Sequence, residues 1–534
     1  MLHVFVVAWG LINVYSTQAF LEVPASQNEP LVNLECGKVR GTASNDGDAF
    51  SFRGIPYASP PIGGLRWQKP EPISPVNNNC WSGTLQANQN GDQCVQLDSQ
   101  DIQKTVGSED CLYLNVFTPS LNSSAKLPVM FWIHGGSLVV LNGSDPTYSP
   151  NQELANKLNV VFVSINYRLH AFGFLALKML NSVSSTNTSG NYGLMDMVEA
   201  LRWTQTNIHH FGGDSQKVTV FGQSSGGSAI VALLASPLCK NLFDKAWMLS
   251  ASPVLNKTAE EAYVANEVFL NNTGCKDVTC LYNLTPEEVT LSAPFEEYPY
   301  WGTSDLGGLP EKGRFDGALP IVDGYVLHEA PFEAWVHGNG IDVPVLIGST
   351  AQEVSQFITP PEAANWTWND GNYSDYVRRS LGQFGDIVAL TALKLYPKDV
   401  ETPLFQLSTM ISDARVTCGT DYLATIMASA YHSPVYRYIV TYTPKNQLSF
   451  HSIDIYGFFE TLGMALGRND EWENLVQKEA MAFVTGAHPA TSTWTKYPTA
   501  VAELSNITTV AEGYHTAQCE FWLANNFFSY SWIN

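Results

Sequence analysis

The middle of the chain alternates short apolar runs with stretches of amphipathic, helix-like sequence. Apolar runs of four to six residues lie at 129–133, 160–165, 218–221, 246–249 and 343–347. Each has the pattern of a strand that is buried on both faces, as in a parallel sheet. Helix-like stretches such as 195–207 and 228–234 lie between the runs, and a late strand is predicted at 435–442. The alternation predicts an α/β fold, with a central, mostly parallel twisted sheet flanked by helices.

Two long segments interrupt this alternation. We interpret residues 255–335 and 355–430 as helical or loop insertions that form the wall of a pocket. The first hundred residues are rich in glycine, proline and turn signals, with a short strand-like run at 48–52. Since no stretch has the composition of a linker, we predict a single domain over residues 20–534.

The N-terminal segment, residues 1–19, has the pattern of a signal peptide. Residues 1–15 are mostly apolar, and small residues in 16–19 provide a cleavage point, although the basic residues usual at such an N-terminus are missing. A membrane anchor is the alternative, but the stretch is short for a span and has no stop-transfer flank. We therefore expect a cleaved signal peptide, no transmembrane segment, and a protein that is secreted or stays in the secretory lumen.

Two further features fit secretion. Nine N-x-S/T sequons predict a glycosylated surface. Their asparagines are Asn122, Asn142, Asn187, Asn256, Asn271, Asn283, Asn365, Asn372 and Asn506. Nine cysteines predict disulfides outside the cell, with at least one cysteine left unpaired.

The charge balance excludes one class of partner. The chain has 28 basic and 50 acidic residues and a formal net charge of −22. Because phosphate contacts require clustered Lys and Arg, nucleic acid is not an expected partner. The cysteines and histidines show no metal-ligand spacing, so we expect neither a metal nor a cofactor.

A candidate nucleophile lies in the pentapeptide Gly222-Gln223-Ser224-Ser225-Gly226, which has the pattern G-x-S-x-G. The pentapeptide directly follows the strand-like residues 217–221 and precedes the helix-like residues 227–234. A tight strand-to-helix turn of this kind exposes a serine hydroxyl above the sheet, and the adjacent glycines permit the sharp bend. The helix N-terminus also directs unpaired N–H groups at the reacting centre.

The residues alone leave the base and the acid open. A serine hydroxyl needs a base, and sites built on this turn order their triad as Ser, acid, His. His451 follows the late strand and is the best candidate base, and Glu353 is a candidate acid after the run at 343–347. The competing histidines are His328, His337, His432, His488 and His515.

Candidate oxyanion donors follow another predicted strand. His134-Gly135-Gly136-Ser137 comes directly after the run at 129–133. Charge that develops on a carbonyl oxygen in the transition state needs preorganised N–H groups, and a turn at this place can provide them together with the backbone N–H of Ser225.

The ordered motifs of the chain closely resemble the type B carboxylesterase/cholinesterase family of α/β-hydrolases, over residues 33–523. The matching segments are 37–41, 53–58, 109–116, 166–168, 211–214 and the pentapeptide at 222–226. The resemblance implies the α/β-hydrolase fold, a triad of Ser224, Glu353 and His451, and oxyanion donors at Gly136, Ser137 and Ser225. It also implies disulfide and ion pairs that the spacing of the residues does not give.

The resemblance implies the disulfides Cys94–Cys111, Cys275–Cys280 and Cys418–Cys519, and the structural ion pairs Arg53–Glu109 and Arg168–Asp196. It does not indicate how Cys36, Cys80 and Cys239 pair.

Four positions depart from the family pattern. Gln223 stands where Glu is usual, so a charge beside the triad is lost. Ser137 replaces the third glycine of the oxyanion turn and Leu138 replaces an aromatic. Val354 replaces the glycine after the triad acid. Because a Cβ disfavours positive φ, we expect a working site that differs from the family norm.

The family implies a serine carboxylic-ester hydrolase that forms an acyl-enzyme on Ser224 and loses activity in acid as His451 is protonated. In cholinesterases the loop corresponding to Cys94–Cys111 carries a choline-binding tryptophan, whereas residues 95–110 contain no aromatic. In family lipases the same loop is a long amphipathic lid, and here it is short and polar. We therefore expect a small-molecule substrate, a neutral and fairly apolar ester. The aromatics of 295–301 either line its acyl side or belong to the core or to a surface loop.

Two alternatives remain. One is a lipase- or lysophospholipase-like hydrolase of lipid esters, and the other is a non-enzymatic adhesion or binding member of the family. Retention of Ser224, Glu353 and His451 argues against the second. The sequence does not indicate the oligomeric state.

Overall fold

The apolar runs form the strands of a central sheet. The computed structural model describes residues 29–98, 101–294, 298, 307–313, 319–358, 369–397, 401–445 and 447–531. Within these residues the large sheet has eleven strands. They are β1 (Thr42–Ala43), β2 (Phe50–Pro56), β3 (Tyr113–Thr118), β4 (Leu127–Ile133), β5 (Val161–Ile165), β6 (Gly213–Gln223), β7 (Lys245–Leu249), β8 (Val345–Thr350), β9 (Val435–Val440), β10 (Val501–Leu504) and β11 (Thr508–Ala511).

The strand order is β11-β10-β9-β8-β7-β6-β4-β5-β3-β2-β1. All neighbours from β5 through β10 pair in parallel, whereas β11, β3, β2 and β1 pair antiparallel at the two edges. In the register Val220 lies opposite Phe131, which lies opposite Val163. The predicted central, mostly parallel sheet is therefore confirmed, and the carboxyl ends of β4, β6 and β8 meet at one edge, where sites of such sheets form.

Alternation along β4 shows how the sheet divides the core. Val129, Phe131 and Ile133 pack on one face with the helices Tyr192–Asn207 and Ser225–Ala235. Met130 and Trp132 point to the other face, where they join Phe221, Trp247, Phe458 and Trp472. Because successive strand side chains point to opposite faces, both faces of each central strand must be apolar, which produces the continuous runs in the sequence.

The helices cover both faces and fill the insertions. Their bounds are Gln152–Leu158, His170–Phe174, Lys178–Asn181, Tyr192–Asn207, Ser225–Ala235, Ala259–Ala265, Glu267–Thr273, Val278–Asn283, Pro286–Ser292, Pro331–Val336, Asp370–Gly382, Asp386–Leu395, Pro403–Ser412, Cys418–Ala430, Ile453–Phe458, Leu462–Ala465, Asp470–Gly486 and Thr516–Ala524. The described parts of the two predicted insertions are largely helical. No helix in these parts of the chain is long and apolar enough to cross a membrane.

Two small sheets and four disulfides connect segments outside the large sheet in the described part of the chain. Leu31–Leu34, Gly37–Arg40 and Thr84–Gln86 form one small sheet, and Gln96–Leu97 pairs with Thr105–Val106. The disulfides are Cys36–Cys80, Cys94–Cys111, Cys275–Cys280 and Cys418–Cys519. The structure thus forms the three pairs that the resemblance implies and pairs two of the cysteines left over. Cys239 is buried and free.

The sequons differ in exposure. The asparagines of six are exposed, namely Asn122, Asn187, Asn256, Asn271, Asn283 and Asn506, and Asn142 and Asn372 are half-buried. Asn365 and the signal-peptide segment 1–19 lie outside the described residues. Of the aromatic stretch 295–301 only Tyr298 is described, and it is buried against the ring of His170.

Candidate active site

The turn that carries Ser224 is sharp and strained. β6 ends at Gln223 and the helix Ser225–Ala235 begins directly after Ser224, which has φ +60° and ψ −130°. A residue with a side chain keeps these backbone dihedrals only where its surroundings enforce them. The Ser224 N–H donates to the Leu249 carbonyl at 2.8 Å, and the Ser224 carbonyl accepts the Ser228 N–H at 3.0 Å. The elbow is therefore fastened to β7 and to its own helix.

The pentapeptide needs glycine at positions 222 and 226 because backbone segments pass very close to both residues. A Cβ on Gly226 would lie 2.1 Å from the Ile133 carbonyl oxygen, at the end of β4. A Cβ on Gly222 would lie 2.6 Å from the Gly226 backbone. Glycine is needed here for close approach, since neither residue has a positive φ.

Glu353 and His451 form a hydrogen-bonded pair. The His451 Nδ1 lies 2.5 Å from Glu353 Oε2, and the carboxylate is completely buried. Its other oxygen accepts two hydrogen bonds of 2.6 Å, from the Ser250 hydroxyl and the Thr350 N–H. The loop after β8 thus holds the carboxylate, and the carboxylate orients the imidazole. This is the arrangement that a serine nucleophile requires of its base.

The competing histidines have other surroundings. His337 pairs with Glu329, and His432, whose side chain is 99% exposed, pairs with Asp342. His328 and His488 are exposed. His515 pairs with the buried Asp413, beside the C-terminal helix.

Gln223 connects the elbow to His451. The Gln223 Nε2 lies 3.0 Å from the His451 Nε2, and its Oε1 accepts the Tyr148 hydroxyl. Gln223 is 1% exposed. Because Gln223 is adjacent to Ser224 in the chain, this contact brings His451 to the elbow. Sequence reasoning noted the lost charge at Gln223 but missed the contact, and it missed Tyr148, which belongs to none of the motifs.

The oxyanion turn lies beside the elbow. Gly136, Ser137 and Leu138 have φ of +103°, +56° and +58°. The Leu138 N–H donates to the Ser225 hydroxyl at 3.0 Å, which joins the turn to the first residue of the nucleophile helix. Ser137 therefore holds the conformation that its Cβ disfavours, at a cost of about 1 kcal/mol. The turn that carries Gly136 and Ser137 is thus held next to Ser225, the third predicted oxyanion donor.

The Cys94–Cys111 loop supports this turn from outside. Gln96 is buried, and its side-chain oxygen accepts the Leu141 N–H at 2.8 Å while its Nε2 donates to the Leu141 carbonyl at 3.0 Å. The disulfide loop thus fastens the far end of the oxyanion turn. The polar side chain of Gln96 in this loop therefore holds the backbone of Leu141 in place.

Burial keeps one nearby histidine uncharged and favours protonation of a nearby acid. Burial lowers the pKa of His134 to about 4, so this histidine at the start of the oxyanion turn is neutral at physiological pH. Burial raises the pKa of Asp454 to about 6, although Asp454 accepts the Tyr438 hydroxyl at 2.8 Å. The ring of Phe357 lies 6.2 Å from that of His451 and adds apolar surface beside it. Among the described side chains, no group of three His, Cys, Asp or Glu residues could hold a metal ion.

Val354, in place of glycine, anchors the insertion helices. It is fully buried in a cluster with Leu407 and Met410, and its N–H donates to the Ser412 hydroxyl at 3.3 Å. The substitution therefore adds a packing contact behind Glu353.

One of the two implied ion pairs is wrong. Glu109 pairs with Arg66, at 2.7 Å and 2.5 Å, and Arg53 instead donates to the Asn88 carbonyl. The second basic residue lies thirteen positions later, and only the folded chain shows which one reaches the carboxylate. Arg168–Asp196 is confirmed as a buried bidentate pair of 2.8 Å and 2.7 Å.

Comparisons with known proteins agree with this architecture. The model of the carboxylesterase family matches residues 28–522. Para-nitrobenzyl esterase of Bacillus subtilis (strain 168) is 33% identical over 437 residues, which cover 80% of this chain and 82% of that protein. Fumonisin B1 esterase of Sphingopyxis macrogoltabida is 32% identical over 83% of this chain and 77% of that protein.

Neurotactin of Drosophila melanogaster is 36% identical over 68% of this chain, but the match spans only 43% of neurotactin. A solved structure described as PNB esterase has a TM-score of 0.75 at 30% identity and covers 93% of this chain and 100% of its own. Since the family model spans nearly the whole chain and the fold agrees, the chain belongs to the carboxylesterase family, as a hydrolase with the α/β-hydrolase fold.

Proposed function

We propose that this protein hydrolyses neutral, fairly apolar carboxylic esters through an acyl-enzyme on Ser224. The observation that carries the proposal is the position of His451. Its Nδ1 is bonded to the buried Glu353, and its Nε2 faces the residue that precedes Ser224.

The chemistry proceeds in two displacements. The Ser224 Oγ attacks the ester carbonyl carbon, its proton passes to the His451 Nε2, and the carbonyl π electrons move to oxygen. The N–H groups of Gly136, Ser137 and Ser225 stabilise that oxyanion. Collapse of the tetrahedral intermediate breaks the bond to the alcohol oxygen, which takes the proton from His451. Water then repeats the sequence on the acyl-enzyme and releases the acid and free Ser224.

An apolar substrate is supported by the surroundings of the triad. The uncharged Gln223 and the neutral His134 place no charge beside the elbow, and the apolar ring of Phe357 lies beside His451. The Cys94–Cys111 loop contains no aromatic side chain for a quaternary ammonium group. A neutral ester therefore suits the site better than a choline ester.

The test is a chain-length series of p-nitrophenyl esters. We expect kcat/KM to rise about three- to four-fold per methylene until the acyl pocket is filled. Ser224→Ala should lower turnover by at least about 10⁴-fold. Ser429→Ala, an exposed serine on the helix Cys418–Ala430, is the matched control and should match wild type.

Each outcome is decisive. Wild-type turnover by Ser224→Ala would overturn the acyl-enzyme, and a flat series would overturn the apolar substrate. Turnover that rises only when the ester concentration exceeds its solubility limit would favour the lipase-like alternative.

We also infer that the chain is secreted, because the disulfides fit an oxidising compartment and residues 1–19 have the pattern of a signal peptide. Mass spectrometry of the protein from culture medium should find an N-terminus near residue 20 and glycans on the exposed sequons. A mature chain that begins at Met1, without glycans, would contradict this.

A further inference from the structure

Gln223 lies in a continuous series of hydrogen bonds that ends at Glu353. The Tyr148 hydroxyl bonds to Gln223 Oε1, Gln223 Nε2 lies 3.0 Å from His451 Nε2, and His451 Nδ1 lies 2.5 Å from Glu353. Gln223 and Tyr148 are 1% and 5% exposed, so bulk water does not compete for these groups.

With the amide of Gln223 oriented as in the structure, the series has one direction. Because the amide oxygen of Gln223 is taken by the Tyr148 hydroxyl, the NH₂ group faces His451. An amide NH₂ only donates, so the His451 Nε2 must be an unprotonated acceptor. The ring proton is then on Nδ1, where Glu353 accepts it. This is the tautomer in which an imidazole can take a proton from a serine.

Gln223 and Ser224 thus compete for one lone pair. We propose that Gln223 is a positioning residue that holds His451 in its neutral Nδ1–H tautomer and releases the Nε2 lone pair to Ser224 when substrate binds. This inference rests on the proposed function of Ser224. A glutamate at position 223 has no N–H to donate, so it contacts Nε2 favourably only when that nitrogen is protonated. The two residue types therefore stabilise opposite protonation states of the same base.

Other titratable groups face this pair. Glu353 and Asp454 lie close to His451, Tyr456 lies close to Tyr148, and the buried Arg437 acts on Glu353. Gln223→Glu leaves all of them in place and changes one NH₂ to an oxygen, so its effect reports on this single contact.

The first test is the pH dependence of kcat/KM for wild type, Gln223→Glu and Gln223→Met. We expect Gln223→Glu to move the acidic limb upward by about one pH unit or more, because an acceptor-only anion beside His451 favours the imidazolium. A shift of one pH unit lowers kcat/KM about ten-fold at the acidic end of the profile, and kcat/KM recovers at high pH. Gln223→Met, of similar volume, should lower kcat without that shift. Superimposable profiles for Gln223→Glu and wild type would overturn the proposal.

The second test does not depend on activity. In ¹⁵N-histidine-labelled Ser224→Ala protein, the His451 signal, assigned by its loss in His451→Gln, should show the Nδ1–H tautomer. Adding Tyr148→Phe, which frees the amide of Gln223 to rotate, should shift the His451 Nε2 resonance because that nitrogen loses its donor, while the thermal midpoint confirms folding. An unchanged Nε2 resonance in the Tyr148→Phe protein would overturn the proposal. Failure of the proposed function is a separate result, namely turnover that survives Ser224→Ala.

Discussion

Single buried groups determine how the surroundings of His451 respond to pH. Asp454 is fully buried, three residues after His451, and burial raises its pKa from 3.8 to about 6. The bonds it accepts from Tyr438 and the Ile455 N–H favour the carboxylate but do not offset the burial. Between these two pH values the folded protein binds more protons at this group than the unfolded chain does.

Asp454→Asn should therefore remove a pH-dependent loss of stability. A raised acid pKa makes folding most favourable below about pH 4, and stability falls as the pH rises towards 6. Two pH units correspond to about 3 kcal/mol at most. Urea midpoints measured from pH 4 to 7 should show wild type losing stability relative to Asp454→Asn across this window.

Asp46→Asn is the control for this comparison, since Asp46 is exposed and its hydrogen bond from Ser44 lowers its pKa. Because a lowered acid pKa changes stability only below the unfolded value of 3.8, the difference between wild type and Asp46→Asn should stay nearly constant from pH 4 to 7. A difference between wild type and Asp454→Asn that stays constant from pH 4 to 7 would contradict the assignment.

At the scale of elements, the elbow depends on the contact between a helix start and a strand end. The Gly226 Cα faces the last carbonyl of β4, and the oxyanion turn begins at the next residue, His134. A displacement of β4 therefore also moves the proposed oxyanion donors, and a shift of about 1 Å in a catalytic group lowers rates about 10²-fold.

Gly226→Ala should lower both stability and activity. The new Cβ would lie 2.1 Å from the Ile133 oxygen, so backbone must move, and overpacking of this kind costs about 1–3 kcal/mol. Gly382→Ala is the matched control, because Gly382 lies in the helix Asp370–Gly382 and its Cβ would meet no atom within 4 Å. That change should be neutral or stabilise by up to about 1 kcal/mol. Equal effects of the two variants on urea midpoint and kcat would refute this account.

Elements also show where sequence patterns suffice. The central runs predict strands well because burial on both faces forces continuous apolar sequence. β6 is longer than its apolar run, starting at Gly213, because residues 214–217 are half-buried or exposed and tolerate polar side chains. Partners fixed only by the tertiary fold, such as Arg66 for Glu109 and Tyr148 for Gln223, have no signal in the sequence. The Cys36–Cys80 pair is missed for the same reason, since spacing does not give connectivity.

For the whole molecule, the Cys418–Cys519 disulfide joins the end of the second insertion to the C-terminal helix. It closes a separation of 101 residues, and the chain between its ends includes β9, His451 and β10. In the chain-entropy account, a loop of this length restricts the unfolded chain far more than a short one does. The disulfide therefore stabilises the arrangement of insertion and sheet that places His451.

Replacing both cysteines by serine should lower the free energy of unfolding by about 4–5 kcal/mol. The matched control is the corresponding double variant of Cys275–Cys280, which closes only 5 residues and should lose about 2 kcal/mol. Urea unfolding of both variants beside wild type measures the difference. Activity below the transition should persist in both, because none of these cysteines contacts the proposed catalytic residues Ser224, Glu353 and His451. Equal losses in the two variants would show that loop length does not govern the stabilisation, and that native-state contacts at each disulfide do.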